Sequence, residues 1–174
     1  RRRLGEVVSV HPLRILRHLA AGPFLARRTF PPAVLDAIRD AVARAERGTT
    51  GEIRVAVELA LPTRELFEEP SPRERALDVF ARLRVWDTDD RNGVLLYVLL
   101  ADRDVEIVAD RALAARVAQA EWDAICRTLE QAYAAGRFEQ GTVEAVAAIG
   151  ALLRREFPSP DGGRDELPNE PTLL

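Results

Sequence analysis

Lysine and methionine are absent from this 174-residue chain, cysteine occurs once and histidine twice. Each shortage removes a class of chemistry. A P-loop nucleotide hydrolase, a Schiff-base enzyme and an ordinary pyridoxal-phosphate enzyme all need a lysine, so those classes drop out. A single cysteine, Cys126, excludes an internal disulfide framework and a cysteine-rich zinc site. Both histidines, His11 and His18, lie in the N-terminal segment, so a histidine-centred acid–base site in the main domain is not expected. The longest uncharged apolar run, Gly93 to Ala101, is far below the ~20 residues that span a bilayer. Glu6, His11, Arg14 and Arg17 interrupt any hydrophobic leader after the opening arginines. Aromatics make up only 6% and the net charge is -3, which gives neither a base-stacking platform nor a field that draws nucleic acid. These shortages predict a soluble cytoplasmic protein without a transmembrane segment and without a nucleic-acid partner.

What remains is ordinary for one globular domain, with 47% hydrophobic and 30% charged residues. Residues 1–28 form a basic segment holding Arg1, Arg2, Arg3, Arg14, Arg17, Arg27 and Arg28. Leu13, Ile15, Leu16 and Leu19 could make it a short amphipathic helix, which would rest on the domain, a partner or a membrane surface. Pro31 and Pro32 mark a helix start, and Val34, Leu35, Ile38, Val42 and Ala45 follow helical spacing up to a cap near Gly48. Residues 52–60 alternate, with Ile53, Val55, Val57 and Leu59 on one side and Arg54 and Glu58 on the other, as in a half-buried strand. A helix over about 72–84 should bury Ala76, Leu77, Phe80 and Leu83. Arg111 to Gln119 reads as helical, Trp122 to Tyr133 carries an apolar helical face ending at Gly136, and a last helix covers about 140–156. From Pro158 onward no apolar period survives, which predicts a disordered tail over 158–174. Strand, helix and strand in that order call for a parallel pair, and a short turn at 101–104 adds an antiparallel neighbour. The expected architecture is an α/β sandwich, a small mixed sheet with helices on both faces.

Val85 to Arg111 concentrates the oxygen donors. An acidic loop, Trp86-Asp87-Thr88-Asp89-Asp90-Arg91-Asn92-Gly93, leads into the strand Val94–Leu100, the turn 101–104 and a second strand to Ala109. A turn centred on Arg103 pairs Leu100 near Val105 and Val98 near Ile107, which leaves Asp110 near Leu95 and the Asn92-Gly93 entrance. A parallel first strand brings Glu52 to the same end. Glu52, Asp87, Thr88, Asp89, Asn92 and Asp110 could therefore converge on one edge, an all-oxygen set that suits calcium or magnesium rather than zinc. The plainer account is equally open. Asp87 and Asp90 can serve as turn residues, Asp110 can cap a helix at Arg111, and Arg91, Arg103 and Arg111 can pair with the acids.

Thr50-Gly51-Glu52-Ile53, Trp86-Asp87-Thr88, Asn92-Gly93-Val94-Leu95, Asp102-Arg103 and Ile107 with Asp110-Arg111 resemble the TPM domain family over about residues 30–156. The segment from Trp122 to Gly141, with Gly136-Arg137-Phe138-Glu139, resembles the short bacterial branch often encoded near LemA proteins. The resemblance implies a three-layer α/β/α Rossmann-like fold spanning 29–157 and a loop-built divalent-cation site, often calcium. It also implies acid phosphatase activity in some members. Asp102-Arg103-Asp104 imitates the start of an aspartyl-phosphate phosphatase, but Glu106 and the missing lysine break that pattern, and a hairpin turn accounts for it better. Cys126 has the helical phase of a core residue and Trp122 likewise, whereas Trp86, in a loop, could wall a crevice. The leading expectation is a TPM-domain protein with no catalytic residue, binding calcium or magnesium and acting through a protein or membrane-associated partner. A metal-dependent acid phosphatase, with Arg103 or Arg111 holding the anion, and a metal-free scaffold are the alternatives.

Overall fold

A computed structural model describes residue 18 and residues 28–62, 71–161 and 163–174. Helix α1 (Pro32–Ala45) starts where the two prolines place it and buries Ile38, Ala41, Val42 and Ala45. Gly48, with φ at 82°, turns the chain toward strand β1 (Ile53–Glu58), a left-handed step that glycine makes without steric cost. Helix α2 (Pro72–Arg82) opens with Ser71 and Glu74 capping each other's backbone donors. Strands β2 (Val94–Leu99) and β3 (Asp104–Ala109) form the hairpin, followed by a single turn α3 (Arg111–Ala114) and the long helices α4 (Gln119–Ala134) and α5 (Phe138–Glu156). Strand β4 (Thr172–Leu173) ends the chain, and the sheet order is β3-β2-β1-β4. β1 runs parallel to β2 and to β4, while β2 and β3 are antiparallel.

The sheet separates two cores. Ile53, Val55, Val57, Val94, Leu96 and Val98 pack with residues of α1, α4 and α5, including Trp122. On the opposite face Ala56, Leu95, Tyr97, Leu99 and Val108 meet Ala76 and Val79 of α2 and Leu167 of the tail. The three-layer α/β/α architecture is as expected. Several details are not. β1 is covered on both sides rather than half-buried, because Glu58 lies sealed beneath α2. Leu77 is exposed, since α2 turns Arg75, Ala76 and Val79 inward and Arg75 reaches for Glu58. The helix expected over 111–119 stops after one turn, where Arg116 N–H and Val117 N–H both fold back on Leu113 O. The hairpin register is shifted by two residues from the expected one: Val98 faces Val105 and Leu96 faces Ile107, with Arg103 (φ 57°) closing a turn over residues 100–103 onto Leu100 O.

The tail is the largest departure. Residues 163–174 run along the domain and add β4 to the edge of β1, with Leu167 as a buried anchor. Arg54 grips them through Nη1 on the carbonyls of Pro168 and Glu170 and through Nη2 on Thr172 Oγ1 at 2.7 Å. Apolar contacts this sparse leave no period in a sequence. The basic amphipathic segment expected before residue 28 lies outside the described residues, apart from His18 and Arg28. Buried His18 accepts Leu61 N–H on Nδ1 and sets Nε2 3.1 Å from Asp102 Oδ1. Among the described residues no helix is long and apolar enough to cross a membrane.

Candidate functional site

Three strand ends meet at Gly93. Val94 N–H donates to Glu52 O at 2.8 Å on one side, and on the other Asp110 N–H donates to Gly93 O at 2.9 Å. A row from Glu52 through Gly93 to Asp110 therefore crosses the sheet at the start of β1 and β2 and the end of β3. Only glycine fits its centre, because a Cβ there would stand 2.0 Å from Val85 O. The loop before Gly93 is held by its own hydrogen bonds. Asn92 N–H donates to Thr88 Oγ1, Asn92 Nδ2 donates to Thr50 Oγ1 at 2.9 Å, and Thr50 Oγ1 donates to Asp90 Oδ2 at 2.7 Å. Arg84 and Arg91 bracket this loop in the left-handed region, at φ 54° and 52°.

Two oxygens in this arrangement are sealed from water and lack a partner among the described residues. Asn92 is fully buried and its Oδ1 accepts nothing; Asp110 is 5% exposed and its Oδ2 accepts nothing. The other Asp110 oxygen accepts Arg111 N–H at 2.6 Å, so the residue does cap α3, as the plainer account has it, and still keeps one oxygen in reserve. An unpaired buried acceptor costs ~1–3 kcal/mol.

The six residues singled out from sequence divide. Thr88, Asn92 and Asp110 gather at the row. Asp87 pairs with Arg84 at 2.7 Å on the surface, and the Asp89 side chain is exposed while its backbone N–H donates to Glu166. Glu52 is buried and receives Leu167 N–H at 3.2 Å. Burial pushes its carboxyl up to about 7, against the lowering pull of that bond and with Asp165 adding to the rise. Glu52 lines a pocket of about 260 Å³ together with Glu46, Asp165 and Asn169. Glu46 is raised to about 8, mainly by burial, although Ile53 N–H binds it. Among the described residues no group of three or more His, Cys, Asp or Glu is placed to hold a metal. Any ion here would depend on amide, hydroxyl and main-chain oxygens beside single carboxylates.

Sequence reasoning missed Thr50, Glu46 and Glu166. Thr50 opens the Thr50-Gly51-Glu52-Ile53 motif, so a signal is present for it although it is not among the six candidates. Glu46 is a charged residue at a helix end, and Glu166 comes from a tail with no pattern to place it. The remaining candidates resolve plainly. Asp102 and Arg103 occupy the hairpin turn, Trp122 is core, and Trp86 stands 48% exposed beneath the Arg84 guanidinium. Cys126 packs at the margin of the core, with its thiol pushed up to about 12 by burial and by the nearby Glu106.

The opposite end of β1 is closed by charge. Arg75 makes a fork on Glu58, Nε to Oε2 at 2.8 Å and Nη2 to Oε1 at 2.6 Å, and Tyr97 Oη donates to Oε2 at 2.6 Å.

A mixed sheet between helices, with oxygen-bearing side chains at the ends of its two central strands, defines an α/β/α domain whose candidate edge is built from loops. The chain matches the family model of the TPM domain over residues 26–152, and it belongs to that family. Among solved structures it is similar to the BA42 protein of the psychrophilic bacterium Bizionia argentinensis, determined by NMR. The two share 34% identity and a TM-score of 0.71, over 82% of this chain and 93% of that one. No curated protein matches the chain.

Proposed function

We propose that this TPM domain binds a divalent cation, calcium or magnesium, at the Gly93 row, and acts through a protein or membrane-associated partner rather than by catalysis. The observation that carries the reading is the pair of buried, partnerless oxygens, Asn92 Oδ1 and Asp110 Oδ2. A cation supplies what those atoms lack. Thr88 and Thr50, each bonded to Asn92 through its hydroxyl oxygen, and Asp90, bonded to Thr50, add further oxygens beside Asn92. An oxygen set of irregular geometry suits calcium better than magnesium, and the low count of carboxylates at the row points to affinity of about 0.1–1 mM.

Thermal melting of the full chain in EDTA and then in calcium or magnesium tests this. At several times the dissociation constant the gain is about 1 kcal/mol, an upward shift of roughly 2–4 °C for a domain of this size. Asp110→Asn and Asn92→Ala should each abolish it. No shift at millimolar calcium overturns the cation reading. Phosphatase turnover, followed in the same preparation, is expected to be absent. Turnover that Asp110→Asn removes would move the reading to a metal-dependent acid phosphatase.

A further inference from the structure

The C-terminal strap, residues 163–174, touches the candidate edge at two points. Glu52 receives N–H groups from the strap's backbone, with Leu167 N at 3.2 Å from Oε2 and the Glu166 amide also directed at it. In return, the Glu166 carboxylate accepts Asp89 N–H at 3.0 Å, out of the Trp86 loop. The strap thus reaches both arms of the row, the β1 entrance and the acidic loop. It also carries two carboxylates to this edge: Asp165 joins Glu46 and Glu52 in the pocket lining, and Glu166 meets the acidic loop at Asp89. Arg47 is the only cation in the pocket lining there, and the strap's own Arg164 is exposed. Like charges brought this close oppose docking. Arg54, the β4 ladder and the Leu167 anchor overcome that opposition from a distance.

From these contacts we infer that the strap is part of the cation site: Glu166 closes it from outside, and cation occupancy and strap docking stabilise each other. The inference rests on the cation reading above, whose independent support is the pair of orphaned buried oxygens, Asn92 Oδ1 and Asp110 Oδ2. A divalent ion at the row relieves the repulsion that the strap brings, and the strap adds negative charge that the ion gains from. Linkage makes the two effects equal in size.

The test uses the full chain and reads backbone hydrogen exchange at Leu167 and Leu174, whose amides bond Glu52 and Val57 O. Calcium should slow exchange at both by about fivefold or more. Glu166→Gln, an isosteric change at a half-buried position, should shrink that slowing and raise the calcium concentration at half-effect by a similar factor. Asp165→Asn is a second variant that should act in the same direction. If calcium raises the melting temperature but leaves both amides unchanged, or if both variants titrate like the parent, the coupling is overturned and the cation reading stands. Faster exchange in calcium overturns it as well, making the strap a competitor. If calcium alters neither melting nor exchange, the cation reading falls first and the coupling with it.

Discussion

Glu52 and Glu58 stand at the two ends of β1, both almost sealed from solvent, in opposite surroundings. Glu58 is answered in full by the Arg75 fork and the Tyr97 hydroxyl. Glu52 receives backbone amides from the strap, with Asp165 and Glu166 as charged neighbours, and its carboxyl is pushed up to about 7, chiefly by burial. A buried charge with its partners in place is scaffolding. The other end, where Glu52 meets carboxylates of its own sign and shares the Gly93 row with oxygens that accept nothing, is where the proposed reading would put an outside cation. The same strand thus carries a finished site and an open one, and the difference lies in which side chains arrive from elsewhere in the chain.

The comparison can be broken hardest at the closed end. Arg75→Met should cost about 3–5 kcal/mol, because it strands Glu58 as an uncompensated buried charge. Denaturant unfolding reads that loss, and a smaller loss in the double variant Arg75→Met, Glu58→Leu would show that the stranded charge, rather than lost packing, sets its size. Tyr97→Phe should cost less, about 1 kcal/mol, since both Glu58 oxygens keep an arginine donor.

The open end should respond to pH in the other sense. Glu46 is raised from the usual carboxylate range to about 8, so between those values the folded state holds a proton that the unfolded chain has released. Its contribution to stability is therefore complete below about pH 4.5 and is lost as pH rises through about 8. Melting temperature measured from pH 6 to pH 9 in EDTA should fall, and Glu46→Gln should flatten the slope. A parent chain whose melting is level across that range would remove the contrast between the two ends.

Most of the scaffold was legible in the residues. Paired prolines set α1, alternation set β1, and the uninterrupted run Val94–Leu99 set a strand buried on both faces. The plain readings of Asp102, Cys126 and Trp122 needed only turn chemistry and helical phase. The errors share a cause. Leu77 belongs to the apolar set that the sequence turns inward with Ala76, Phe80 and Leu83, yet Arg75 takes the inward position because a partner waits on β1, a contact no local window contains. The tail's prolines and glycines carry no apolar period, yet Leu167 and the Arg54 grip hold it against β1. Within the site, Asn92 and Asp110 could be named because they flank a strand, while Glu46 and Glu166 could not, since only the folded sheet brings a helix end and a patternless tail to the same pocket.

The sheet guards its two margins by different means. β3 carries Asp104 and Glu106 along its outer run, charges that discourage another strand from joining. β1, on the other margin, is covered among the described residues by the short β4, with the Arg54 grip beside it. Whatever else those last residues do, the two-residue β4 also occupies the edge of β1, the kind of open strand margin on which misassembly begins.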